Sequence, residues 1–270
     1  MLLAHLRSLA GLVCLAATLA AGPAAAVPCG GQFDAWLEAF KDEAAGKGIS
    51  QATIASALSG VTYNPQVIAL DRRQGVFHQT YEQFGPPRIA ARIVKAQRMM
   101  QQYAGVLSRV EREFGVPGPV VVAIWALETD FGVNMGKQPA LRALATLAFD
   151  CRRTEKFQEE LMDALKIIDR GDLTPADMRG AWAGELGQTQ FLPSSYDKFA
   201  VDFDGNGRRD LIHSVPDVLA STANYLKGYG WRRGQSWSEG SENFEVLSEW
   251  NKSPVYQKTI AAFASRLAGE

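Results

Sequence analysis

Residues 120–132 read V-V-V-A-I-W-A-L-E-T-D-F-G, and this stretch decides the fold. Eight apolar residues, Val120 to Leu127, run without a polar break and end on Glu128. Pro117 and Pro119 bracket Gly118 just upstream, and proline fits a helix's first turn, where its missing N–H is no loss. A run that is apolar on every side predicts a helix buried all round. Gly132 is placed to supply a left-handed cap. Glu128 then falls in the last turn, on one face with Val121, Ile124 and Trp125. Burial and the negative end of a helix both disfavour a carboxylate there and push its pKa upward. A general acid working near neutral pH needs that shift. The plainer reading is a helix-end Glu in solvent or paired with an Arg. Asp130, two residues on, points to another face and reads as a surface or capping residue.

Working outward, the flanks also read as helices. Residues 32–58 carry the amphipathic F-D-A-W-L-E-A-F and a second helix capped at Ser50. Residues 88–114 predict one long basic amphipathic helix, opened by Pro86–Pro87 and ended by Gly115. Further helices are expected at 138–149, 154–168, 216–228 and 254–267, with a turn at 172–177 capped at Thr174. Phe244 to Leu247 is the best strand candidate, and it is weak. The fold class is mainly α with little β structure.

The first 26 residues have the form of an export signal: Arg7, an apolar stretch from Leu9 to Ala21, and Ala24–Ala26 as a cleavage site. That apolar stretch is short for a membrane span, and no lipobox precedes Cys29. The expected product is a soluble exported protein, periplasmic in a cell with two membranes. A retained N-terminal anchor is the alternative. The chain has 28 Lys+Arg, of which Arg7 leaves with the signal, against 29 Asp+Glu. That balance argues against nucleic acid as the main partner. Cys29 and Cys151 remain as an even pair in an oxidising compartment, so a disulfide is expected, two free thiols being the alternative.

Two more motifs carry chemistry. Residues 184–196 read G-E-L-G-Q-T-Q-F-L-P-S-S-Y. Gln188 and Gln190 both donate and accept, which suits sugar hydroxyls and acetamides better than phosphates. A plain Gly-rich loop reads equally well. Residues 202–213 read D-F-D-G-N-G-R-R-D-L-I-H. Asp202, Asp204, Asn206, Gly207 and Asp210 fall at calcium-loop positions, with the carbonyl of Arg208 between them. His213 stands where the bidentate Glu belongs, and Asp217 is placed to loop back and fill the gap. Hard oxygen donors favour calcium, or sodium at a weaker site, over zinc. The alternative is an Asp/Asn/Gly turn that holds no ion. His78 and His213, the two histidines beyond the signal, lie near no Ser or Cys motif, which argues against a Ser-His-Asp triad, and the sequence has no P-loop, dinucleotide fingerprint or H-E-x-x-H motif.

Taken in order, F-G-V-P…I-W-A-L-E-T-D-F-G, A-L-A-T-L-A-F-D, W-A-G-E-L-G-Q-T-Q-F-L-P-S-S-Y, V-D-F-D-G-N-G and A-N-Y-L-K-G-Y-G-W resemble the lytic murein transglycosylase B family. The resemblance is densest over residues 113–231. It implies a lysozyme-like helical core and peptidoglycan glycan strands as substrate. The implied reaction cleaves the β-1,4 bond between N-acetylmuramic acid and N-acetylglucosamine, forming 1,6-anhydromuramic acid. No cofactor is implied for that chemistry. The resemblance matches the catalytic Glu to Glu128 and the sugar-site glutamine to Gln190. It matches cleft aromatics to Tyr225 and Tyr81, and an aromatic–Asn pair to Trp250–Asn251. Its metal loop matches Asp202, Asp204, Asn206, Arg208 and Asp217. The implied organisation is an N-terminal helical region at 27–112, a catalytic core at 113–231 containing the metal-loop segment 202–217, and a segment at 232–270 completing the cleft. The chain departs from the family in carrying Ala181 where many members have Ser, in lacking a lipobox cysteine, and in a short stretch between Trp231 and Trp250. A hydrolase on the same scaffold, with Glu185 or Asp130 assisting water, and a non-catalytic peptidoglycan-binding protein are the rival readings.

Overall fold

The computed structural model describes residues 27–73 and 79–270, so the export-signal reading of residues 1–26 lies outside the described residues. In chain order the helices are α1 (Phe33–Gly46), α2 (Gln51–Leu58), α3 (Pro65–Arg72), α4 (Tyr81–Gln102), α5 (Ala104–Phe114) and α6 (Gly118–Thr129). They continue as α7 (Ala140–Phe149), α8 (Thr154–Asp169), α9 (Pro193–Phe199), α10 (Val215–Gly228), α11 (Glu242–Trp250) and α12 (Pro254–Ala268). The strands β1 (Gln138–Pro139) and β2 (Arg179–Gly180) pair antiparallel, with Gln138 opposite Gly180. None of the described helices is long and apolar enough to cross a membrane.

The apolar run at 120–127 becomes the axis of the molecule. Every residue from Val120 to Ala126 is buried, and α4, α5, α10 and α12 all pack against α6. The helix ends abruptly because three consecutive residues turn left-handed: Asp130 (φ 52°), Phe131 (φ 62°) and Gly132 (φ 79°). The reversal therefore begins two residues before the glycine expected to cap it. Phe131 folds back edge-on against Trp125, ring centroids 5.1 Å apart, which holds this reversal in place. Cations from α4 bind carbonyls at this helix end: Arg92 Nε donates to Ala126 O, which also accepts from Asp130 N, and Lys95 Nζ donates to Asp130 O.

Two expectations need correction. The long helix predicted at 88–114 is two helices, and it starts earlier. A capping box between Thr80 and Gln83 opens α4 at Tyr81, so Pro86 and Pro87 lie inside its early turns. The chain then breaks at Tyr103, whose conformation (φ −106°, ψ 20°) both ends α4 and starts α5. The strand candidate Phe244–Leu247 is helical, part of α11. Ser241 caps that helix, and Asn243, Phe244, Val246 and Leu247 are its buried residues. The cap and one buried helical face decide this segment.

On the far side, α7 and α8 pack together, and α1, α2 and α3 lean on them. Asp71, buried, accepts from both Arg152 and Arg153. Cys29 and Cys151 form a disulfide beside this cluster, across a sequence separation of 122.

Candidate active site

Glu128 lies in the last turn of α6, half-buried at the wall of a pocket of about 390 Å³. Its carboxyl oxygen Oε1 accepts two hydrogen bonds. The indole Nε1 of Trp250 donates at 2.8 Å and the phenol of Tyr256 at 2.9 Å. Among the described residues no donor reaches Oε2. Burial raises the pKa of Glu128 from the ordinary carboxylate range to about 7, the two donors pull it down, and the carboxylate of Glu185 pushes it up again. The acid is thus half-protonated near neutral pH. With Oε1 held by two donors, the proton belongs on Oε2.

The loop after β2 forms one pocket wall. Gly180 and Leu186, then Leu186 and Phe191, form bridges that carry the small sheet into the site. Residue 180 must be glycine, because a Cβ there would sit 1.6 Å from the carbonyl oxygen of Glu185. This loop is pinned to the end of α6, since Thr129 Oγ1 donates to Gln188 O at 2.5 Å and accepts from Gly132 N at 2.8 Å. Gln190 adopts φ 56°, and its Nε2 donates to the carbonyls of Gly187 and Met135. Glu185 reaches the same pocket, its Oε2 accepting from Ala183 N at 3.1 Å.

Aromatic rings also line the pocket. Tyr225, Phe191 and Trp250 form a cluster with centroid separations of 5.0–5.6 Å. The Tyr225 hydroxyl is spent on Glu249 O at 2.6 Å, so its ring is what the wall offers. Asn251 lines the pocket, with its Oδ1 accepting from Ser253 N.

The structure brings Glu128, Gln190, Tyr225, Trp250 and Asn251 to one pocket. Gln188 is not a pocket residue. It is buried, its Oε1 accepts from the indole of Trp125 at 2.9 Å, and its Nε2 donates to Ile212 O at 2.8 Å. A buried Trp N–H needs an acceptor, and Gln188 supplies it. Tyr81 also lies outside this pocket's wall. It packs at the start of α4 beneath the ammonium of Lys258, 5.1 Å from the ring centre. Asp130 pairs with Lys95 at 3.4 Å rather than joining the site. Tyr256 was missed, because its only signal is a tyrosine in the first turn of a C-terminal helix.

The acidic loop forms a second centre. Asp202, Asp204 and Asp217 each present an oxygen within 4.8 Å of the others, and Asp217 is fully buried. Backbone amides organise them: Gly205, Asn206 and Gly207 donate to Asp202, while Phe203, Asp204 and Asp210 donate to Asp217. Among the described residues no cationic side chain pairs with these three. The ring of His213 is bonded to Asp210 at 3.0 Å.

A helical fold built round one buried helix, with a single poised carboxyl at that helix's end and an amide-and-aromatic cleft beside it, defines the lysozyme-like class. The chain belongs to the transglycosylase SLT domain family, whose model matches residues 32–241. Over 134 residues it is 42% identical to membrane-bound lytic murein transglycosylase B of Escherichia coli K12, a match spanning 49% of this chain and 37% of that protein. Its fold aligns with SltB3 of Pseudomonas aeruginosa in complex with NAG-NAM-pentapeptide at a TM-score of 0.84 and 31% identity, covering 89% of this chain and 81% of that one. Escherichia coli Slt35 in complex with calcium aligns at 0.74 and 26% identity, over 86% of this chain and 92% of that one.

Proposed function

We propose that this protein is an exported peptidoglycan lytic transglycosylase, acting in the periplasm on glycan strands with Glu128 as its acid and base. The observation that carries the reading is the carboxyl group itself: one Glu, held by two neutral donors, with a pKa of about 7. Such a group gives a proton and takes one back at the same pH. Family membership and the glycan fragment bound to SltB3 support the substrate class.

Glu128 donates its proton from Oε2 to the oxygen linking N-acetylmuramic acid to N-acetylglucosamine. The C1–O bond breaks and the N-acetylglucosamine end leaves as an alcohol. The 2-acetamido oxygen of the muramoyl sugar shares the positive charge at C1. Glu128, now ionised, removes the proton of the muramoyl 6-hydroxyl as that oxygen closes on C1. The product is a 1,6-anhydro sugar, no water is consumed, and Glu128 is protonated again. Gln190 and Asn251 offer polar contacts to the glycan, and the Tyr225 and Trp250 rings wall the cleft. Mass spectrometry of muropeptides released from isolated sacculi tests this. Products lighter by one water than hydrolytic ones are expected. Hydrated muramic ends would establish the hydrolase reading instead, and sacculi bound but not cut would establish a binding protein.

The acidic loop suits a structural cation. Three carboxylates gathered in a backbone-amide cradle repel one another unless a cation sits among them. Asp202, Asp204 and Asp217, with Asn206 and the carbonyl of Arg208, would hold calcium or, more weakly, sodium, and the ion would stabilise the fold rather than join the reaction. The solved calcium complex of Slt35 supports this choice.

A further inference from the structure

The mechanism above uses one carboxylate, yet the pocket wall holds another that is fixed in place. The geometry points to Glu185 as a positioning residue that keeps the proton on Glu128 by presenting a fixed negative charge across the same pocket. This inference rests on Glu128 being the acid.

Glu185 is rigid at both ends. Its carbonyl accepts from Ala181 N at 3.2 Å and closes over Gly180, while Oε2 accepts from Ala183 N. A carboxylate bonded to a backbone amide favours its charged form. Burial is the largest influence on Glu185 and raises its pKa, but the backbone amides and the cations Lys156 and Arg153 on α8 all work against that rise. Glu128 has no such help: burial raises it most, both of its donors are neutral, and the charge of Glu185 adds to the rise. Burial raises both carboxyls, but backbone amides and two cations oppose it at Glu185 and only two neutral side chains oppose it at Glu128, so the two take separate roles. Glu185 ionises first, and the resulting charge holds the proton on Glu128.

The other groups around Glu128 leave this task unfilled. Tyr256 on α12 is neutral and lowers its pKa. Arg92 and Lys95 on α4 are committed to the carbonyls of Ala126 and Asp130, and Arg88 to that of Phe84. Tyr225 on α10 is bonded to a carbonyl. Among the described residues α5 meets Gly118 of α6 through the apolar Leu107, and no Lys, Arg or His lines the pocket. Glu249 lines the pocket as well, but it is exposed and paired with Lys252 at 3.0 Å.

The test is a carbon-13 NMR titration of the glutamate carboxyls in the substrate-free protein, run beside the pH profile of anhydro-muropeptide release. In Glu185→Gln the midpoint of Glu128 is expected to fall by about half a pH unit or more, and the alkaline limb of activity to move down with it. Glu185→Asp, which restores the charge, should return the midpoint toward the wild-type value. An unchanged Glu128 midpoint in Glu185→Gln, or an Asp variant no better than Gln, overturns the inference. Should the Gln variant not fold, the wild-type titration decides: the Glu185 signal must move a second time near neutral pH as Glu128 ionises, and a single inflection overturns the proposal. A protein showing the coupling but releasing no anhydro product would uphold this inference and defeat the functional reading.

Discussion

The phenol of Tyr256 donates to Oε1 of Glu128 at 2.9 Å, from 128 residues further along the chain. With the Trp250 indole on the same oxygen, it orients the carboxyl and leaves Oε2 to carry the proton. Removing the hydroxyl in Tyr256→Phe should raise the Glu128 pKa, because that bond lowers it. Cleavage of sacculi is expected to fall by about tenfold or more from lost orientation, with the alkaline limb of the profile moving upward. A profile displaced downward would contradict the assigned direction of that hydrogen bond.

Glu128→Gln should abolish cleavage while keeping the fold and glycan binding. It should also stabilise the protein at alkaline pH. The folded-state pKa lies above the unfolded one, so the native state binds the extra proton and loses stability as pH rises from about 4.5 to about 7. Above that range the ionised, half-buried carboxylate costs up to about 3 kcal/mol, a ceiling that residual solvent contact reduces. Thermal melts should show the variant gaining on wild type at pH 8 but not at pH 4.

Gln188→Leu leaves the Trp125 indole and the Ile212 carbonyl without partners in a buried place. A loss of about 2–3 kcal/mol is expected in urea unfolding, with activity per folded molecule retained. Collapse of activity at full stability would return Gln188 to the sugar site.

Changing Asp202 and Asp204 together to Asn should lower the melting temperature in calcium more than it lowers turnover. Melting curves of the wild type that coincide with and without chelator would show a loop that holds no ion.

Replacing both Cys29 and Cys151 with Ser removes a cross-link spanning 122 residues. Chain entropy sets the loss at up to about 5 kcal/mol. Neither cysteine lines the pocket, so the melting temperature should drop while the pH profile of cleavage stays in place.

Much of this was legible in the sequence, and the gaps have physical causes. Glu128 stood out because a charge ending an apolar run must be explained locally. Tyr256 and Trp250 could not be tied to it, because nothing in helical periodicity reports a contact across more than 120 residues. Gln188 and Gln190 looked alike as amides two apart. The difference is the acceptor that the Trp125 indole demands, and that demand appears only once the core is assembled. The helix through Pro86–Pro87 starts at the Thr80–Gln83 capping box, a local signal that the two prolines mask, and the break at Tyr103 carries no Gly or Pro to announce it. The helical reading of α6 survived because its burial admits one solution.

Both donors to Glu128 come from beyond residue 249: Trp250 ends α11 and Tyr256 stands in the first turn of α12. A chain cut or stalled before that point would possess its acid but not the hands that aim it. Competence at Glu128 is gained only once residues 250–256 have folded back onto the end of α6.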